Sequence, residues 1–429
     1  MIRRSVRSLA TAALLMFAIS AHAQVTFYSG ETKGSFYQIA VPADWNGSLV
    51  IWNHGYQFGP PGPDPDLGPL ADVQLAQGYA VAASSYSQSQ WAVFRTRRDI
   101  TRLVRVFKKE VGKPDSILMT GASLGGIVTA DALERAHRVH VDGAFAFCGA
   151  MAGSRTWDGA LDIRLTYNAV CGDVAPIPGG GTGLPEVPGV IDPNFVALQT
   201  NACMGTLTPQ PFRTPEQNAR LAKFLAVTKI PEEFVVTDMV FATNGLANLT
   251  FDPGKLNGRQ GTGNIGVVYD DADIDTNIER VKANRKGARK LQRNFAPRGH
   301  FENDEVKIVS LHTDKDGLVI VEHQSEYQDV VDGENLTIGI VVEAAPTHCG
   351  FSPAELVAGW ESLRGWVAGG SQPDAATLQG TCQLVEATQG ALFPGPCRID
   401  PTFVVQDMDE RIAPRNNIRK KKHHDYDDD

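Results

Sequence analysis

The chain has 429 residues, 42% hydrophobic and 21% charged, with a formal net charge of −9. It can bury a substantial core and is too long for one minimal sheet domain, so an inserted region is expected. The modest acidic balance, with no basic stripe ahead of the last residues, argues against nucleic acid as a partner.

Residues 1–23 read as a secretory leader: Arg3, Arg4 and Arg7 precede an apolar run from Leu9 to Ile19, and Ala21-His22-Ala23 is a small-x-small cleavage site. The mature chain is therefore expected to be exported, periplasmic or extracellular. No later stretch is apolar for the roughly eighteen residues a membrane span needs, so no integral membrane segment is expected.

Val25 to Val41 reads as opening antiparallel strands, and Ser48 to Trp52 as a short apolar strand running into Asn53-His54-Gly55-Tyr56. Leu67 to Gln77 is expected to be a helix stopped by Gly78, followed by a strand over Tyr79 to Ala83. Tyr86 and Trp91 come next, and each is a candidate for substrate contact as well as for ordinary aromatic packing. Ile100, Leu103, Val104, Phe107 and Val111 mark one face of a helix.

Ser116 to Thr120 then forms a strand, Gly121-Ala122-Ser123-Leu124-Gly125-Gly126 a sharp turn, and Ile127 to Ala130 the start of a helix. A serine at the apex of such a turn is held in a strained backbone conformation, and glycines two residues to either side relieve the crowding. The first amides of the following helix, led by Leu124, would face the same spot as the serine hydroxyl. Alternation of strands and helices up to Phe147 specifies a mostly parallel sheet covered on both faces.

Past Cys148 the alternation stops. Ala175 to Pro185 reads as loop, Thr214-Pro215-Glu216-Gln217 starts a helix bearing Leu221, Phe224 and Leu225, and Phe234 to Phe241 fits either helix or strand. Phe224, Met239 and Phe241 read first as this region's own small core, and second as a pocket lining. A strand over Val306 to Leu311 leads to Asp314 and Asp316, and another over Leu336 to Glu343 leads to His348. Ser352-Pro353-Ala354-Glu355 is a capping box opening a helix whose apolar face is Leu356, Trp360, Leu363 and Val367. A C-terminal extension over 371–414 follows, and the charge-segregated run 415–429 is expected to be disordered.

Six cysteines in an exported chain are expected to be bridged, with fifteen pairings open. Proximity in sequence points to Cys171 with Cys203 and Cys382 with Cys397, which leaves Cys148 and Cys349. The spacing lacks the Cys-x-x-Cys pairs of a metal site, so no metal is expected.

The Gly121-x-Ser123-x-Gly125 turn between strand and helix resembles the nucleophile elbow of the α/β-hydrolases, and the order serine, aspartate, histidine is similar to theirs. The resemblance implies an α/β fold, a mostly parallel doubly wound sheet, with a large lid inserted after the sixth strand over residues 151–305. The core would then comprise 24–150 and 306–370. It further implies Ser123 as nucleophile, His348 as general base, Asp316 as the acid with Asp314 in reserve, and the amides of Tyr56 and Leu124 as the oxyanion hole. His300 is the rival base, while His312 and His54 read as packed or loop-orienting residues. Tannases and feruloyl esterases, whose active sites carry a disulfide from the residue before the serine to the residue after the histidine, are similar in part: Cys349 matches, but Ala122 stands before Ser123.

The expected function is an exported serine hydrolase cleaving carboxylic esters through an acyl-enzyme, acting on a small-molecule or polymeric ester without a cofactor. A peptidase of the prolyl-oligopeptidase-like branch, an acyltransferase and a non-catalytic binding protein are the alternatives. The sequence does not define the oligomeric state.

Overall fold

The computed structural model describes residues 24–136, 139–179, 184, 191–301 and 303–415; the expected leader over 1–23 and residues 416–429 of the expected tail lie outside them. In chain order, β1 (Val25–Thr32), β2 (Ser35–Pro42) and β3 (Ser48–Asn53) precede α1 (Ala71–Ala76), β4 (Ala80–Ser84), α2 (Val93–Glu110), β5 (Ser116–Ala122), α3 (Leu124–Arg135) and β6 (Gly143–Phe147). Seven helices follow: α4 (Arg155–Cys171), α5 (Pro193–Met204), α6 (Pro215–Thr228), α7 (Val235–Val240), α8 (Leu246–Phe251), α9 (Ala272–Asn277) and α10 (Arg285–Phe295). The chain then returns through β7 (Lys307–Thr313), α11 (His323–Gln328), β8 (Leu336–Val341), α12 (Pro353–Val367), α13 (Ala375–Gln389) and α14 (Met408–Arg411).

The strands form one sheet in the order β1-β2-β4-β3-β5-β6-β7-β8. The β1–β2 and β2–β4 pairs are antiparallel and the rest parallel. Each parallel strand alternates its side chains between two apolar layers, as a period of two requires. Leu49, Ile51, Met119 and Ala146 pack on the side of α2 and α3. Val50, Trp52, Leu118 and Phe147 pack with Trp360 of α12 and Leu378 of α13. Register sets Asn53 opposite Gly121, and Ala122 opposite Phe147, which in turn faces Leu311. The carboxyl ends of β3, β5, β6 and β7 therefore meet along one edge of the sheet.

The first helix is shorter than expected, because Gly68 takes a φ of +92° against the Trp52 ring and Leu70 is the first residue that can lead into helix. Elsewhere local signals match local structure. Thr214 and Gln217 close a capping box at α6, as Ser352 and Glu355 do at α12. The ambiguous run Phe234 to Phe241 is helical, and α7 continues into a π-helical turn at Phe241–Gly245. Helices α4 to α7 enclose a separate apolar core that includes Tyr167, Phe224 and Met239, clipped by the Cys171–Cys203 disulfide.

Cys382 on α13 is bridged to Cys397 beyond the helix, and Ile399 adds a single antiparallel bridge to Val341. The chain then runs back over the inserted helices. Arg155 donates to the carboxylates of Glu326 and Asp409 and to the Ile412 carbonyl, while Arg415 donates to the Asp162 carboxylate at 2.6 Å and the Asp158 carbonyl at 3.0 Å. No helix among the described residues is long and apolar enough to cross a membrane.

Candidate active site

Ser123 sits between β5 and α3 with φ 55° and ψ −121°, a conformation that ordinary residues rarely adopt. Both flanking glycines are sterically required: a Cβ on Gly121 would lie 2.3 Å from the Gly125 carbonyl oxygen, and one on Gly125 would lie 1.9 Å from the Asn53 carbonyl oxygen. The turn can therefore press against the end of β3, and it lifts the serine out of the sheet.

His348, on the loop between β8 and α12, lies 2.9 Å from Ser123 Oγ through Nε2. Its Nδ1 lies 2.8 Å and 3.0 Å from the two carboxylate oxygens of Asp316. With Nδ1–H donating to the carboxylate, Nε2 is left as the acceptor for the serine hydroxyl. Asp316 is buried, and its Oδ1 also accepts the backbone N–H groups of Leu318 and Val319. Asp314 instead accepts the Glu343 N–H and does not reach the histidine ring. His312 is fully buried, with Nε2 bonded to the Val319 carbonyl and Nδ1 to Gln324, so it braces the turn that carries Asp316. His300 is exposed on the segment between α10 and β7.

Several contacts hold the histidine loop. The Cys148–Cys349 disulfide joins it to the end of β6, with Cα atoms 5.2 Å apart. Phe351 packs edge-on against Phe147, and Arg398 donates to the Gly350 carbonyl while pairing with buried Glu355. His348 is therefore tied to the same sheet edge that bears Ser123.

The loop after β3 passes close to Ser123: a Cβ on Gly55 would sit 3.4 Å from Ser123 Cβ and 3.8 Å from its Oγ. Tyr56 and Leu124, the expected oxyanion residues, both line the cavity that Ser123 opens into. His54 is buried, with Nδ1 2.7 Å from the Gly55 carbonyl oxygen, and burial lowers its pKa. Tyr86 is not among the cavity's lining residues. A positive φ turns it inward, where its ring stacks on His54 and its hydroxyl donates to the His54 carbonyl. Trp91 does line the cavity, packed edge-on against Trp157.

The cavity encloses about 990 Å³ including its open mouth, and most of its lining is apolar. Phe241 forms part of its wall and packs against Tyr56, whereas Phe224 and Met239 belong to the core of the inserted helices. Sequence reasoning missed several polar contributors, among them Asp238, His323 and Arg411. Asp238, on α7, is buried; burial first, and then the neighbouring Asp316 charge, push its carboxyl well above the usual range, against the pull of Arg411. His323, on α11, accepts the Ala152 N–H through Nδ1, and burial takes its pKa down to about 3. Arg411 itself arrives from α14, at the far end of the chain. The available signal for Asp238 was a lone acid within the apolar run Phe234 to Phe241.

The parallel sheet, the strained serine elbow and the Ser123-His348-Asp316 hydrogen-bond chain together have the α/β-hydrolase arrangement. The structure is similar to feruloyl esterase B from Aspergillus oryzae at 12% identity and a TM-score of 0.42, covering 81% of this chain and 82% of that one. It is also similar to Candida antarctica lipase A, at 13% identity and a TM-score of 0.41, over 85% and 86% of the two chains. Dipeptidyl peptidase 4 from Porphyromonas gingivalis matches at 9% identity and a TM-score of 0.40, over 82% of this chain and 36% of that one. No protein-family model and no curated protein matches the sequence.

Proposed function

We propose that this chain is an exported serine hydrolase that cleaves carboxylic esters through an acyl-enzyme. The observation that carries the reading is the continuous hydrogen-bond chain from Ser123 through His348 to Asp316, with the serine opening into a largely apolar cavity. Ser123 Oγ attacks the ester carbonyl as its proton passes to His348 Nε2, and Asp316 fixes the tautomer and stabilises the imidazolium. The amides of Tyr56 and Leu124 receive the charge that develops on the carbonyl oxygen. Collapse of the tetrahedral intermediate breaks the bond to the alkoxy oxygen, which takes the proton back from His348 and leaves as the alcohol. A water, deprotonated by the same Nε2, then attacks the acyl-enzyme, and Ser123 regains its proton as the acid departs.

The region 151–305 acts as a lid in this reading, since α4, α6 and α7 supply cavity walls. The disulfides support work in an oxidising compartment. The test is hydrolysis of p-nitrophenyl esters from acetyl to palmitoyl by the oxidised protein and its Ser123→Ala variant, alongside labelling by a fluorophosphonate. Turnover and labelling that both vanish with Ser123 support the reading. A folded wild type that neither labels nor hydrolyses any ester sinks it.

A further inference from the structure

The cavity beside Ser123 is apolar in most of its wall, yet it contains polar groups that the protein leaves unpaired. Asp238 is 4% exposed, and its Oδ2 has no hydrogen-bond partner among the described residues. The same is true of the indole N–H groups of Trp91 and Trp157 and of the Thr156 hydroxyl, all on residues that line the cavity. Burying a polar group unpaired is unfavourable, so Asp238, a buried carboxyl on the wall of this cavity, favours a ligand that pairs with it.

We propose that Asp238 is a specificity-determining residue that hydrogen-bonds a hydroxyl on the substrate group held in this cavity, so that hydroxylated esters are preferred to hydrocarbon esters of the same shape. This rests on the serine-esterase reading and names its substrate class. A hydroxyl both donates and accepts, so it pairs with the buried Asp238 carboxyl whichever protonation state that group holds. The imidazole of His323 adds a further donor at the wall, since its Nδ1 is occupied as an acceptor and the proton lies on Nε2. A plain alkyl or aryl group would fill the volume and strand these groups. Sites built to pair a substrate hydroxyl reject analogues lacking it far more strongly than apolar pockets reject a change in size.

The test compares kcat/KM for two matched pairs: methyl phenylpropanoate with its para-hydroxy counterpart, and hexyl acetate with its omega-hydroxy counterpart. Wild type, Asp238→Asn and Asp238→Leu are each assayed by acid release, with fluorophosphonate labelling of Ser123 as the control for a folded site. The expected result is a preference of about tenfold or more for the hydroxylated member of at least one pair. Asp238→Leu should bring that ratio near unity, and Asp238→Asn, which still donates and accepts, should keep part of it. Equal rates within both pairs for a labelled wild type, or the same preference in Asp238→Leu, overturn the inference and leave the esterase reading standing. A wild type that neither labels nor hydrolyses any of the esters overturns both.

Discussion

On the proposed reading, two aspartates two residues apart on one loop divide into chemistry and scaffolding, and substitution separates them. Asp316→Asn keeps the shape but not the charge that selects the His348 tautomer, and kcat for p-nitrophenyl acetate should fall by roughly 10⁴-fold. Asp314→Asn loses an acceptor for the Glu343 N–H and should leave kcat within about tenfold of wild type, because a single backbone contact is worth about 1 kcal/mol. Equal losses from the two substitutions would refute the assignment. At this scale the elbow was the most legible part of the site, since its Gly-x-Ser-x-Gly pattern is local, with Gly121 crowded by the Gly125 carbonyl and Gly125 by the Asn53 carbonyl at the end of β3. Asp316 was separable from Asp314 only through resemblance, because both follow the same strand and only the fold shows which one receives the Leu318 and Val319 amides. Tyr86 lay close enough in sequence to suggest substrate contact, but its backbone φ of 53° sends the ring behind the His54 loop. Asp238 was not legible, because what makes it significant comes from β7, α11 and α14, distant along the chain.

Among the elements, the loop between β8 and α12 carries the most consequence, because the proposed base, His348, sits on it and has no regular structure of its own. The Cys148–Cys349 bridge closes a separation of 201 residues and ties this loop to β6. Replacing both cysteines by alanine should cost about 2–5 kcal/mol of stability, read from denaturant midpoints. It should also lower kcat more than it raises KM, because the His348 to Ser123 geometry is what loosens. A variant as active as wild type would make the bridge purely structural. Strong local chemistry made α6 and α12 readable, each opening on a capping box with proline at its first position. The stretch from α7 into its π-helical turn was not readable, because its apolar residues serve the inserted core on one side and the cavity on the other.

For the molecule as a whole, buried histidines set the acid side of stability. His54, His312 and His323 all have pKa values lowered mainly by burial, His323 to about 3. Below pH 6.5 the unfolded chain takes up protons that the native state refuses, so their stabilising contribution is complete above that pH and is lost as pH falls toward the folded values. Each can contribute up to about 1.4 kcal/mol per pH unit. Asp131 and Asp158, raised to about 6 by burial, act in the opposite sense between their unfolded and folded values. Comparing wild type with His323→Gln cancels these shared terms, and the variant should lose less stability than wild type between pH 7 and pH 5 in urea titrations. Parallel profiles would show that His323 does not titrate on unfolding. The sheet was legible at this scale through its alternating strands; the route of residues 407–415 was not, because it depends on Arg155 and Arg415 meeting partners far away in sequence.

That route has a consequence for how the protein comes into being. Arg411 and Ile412 wall the cavity, yet they follow every strand of the sheet and every member of the proposed triad. A chain synthesised from its amino end has its proposed nucleophile, acid and base in hand before the last side of the cavity exists. Ending the chain after Gln406 should therefore leave Ser123 open to a fluorophosphonate while flattening the acyl-length profile of ester hydrolysis. A nascent or partly threaded molecule would meet substrate with chemistry in place but little choice among substrates, and selectivity would be the last property it acquires.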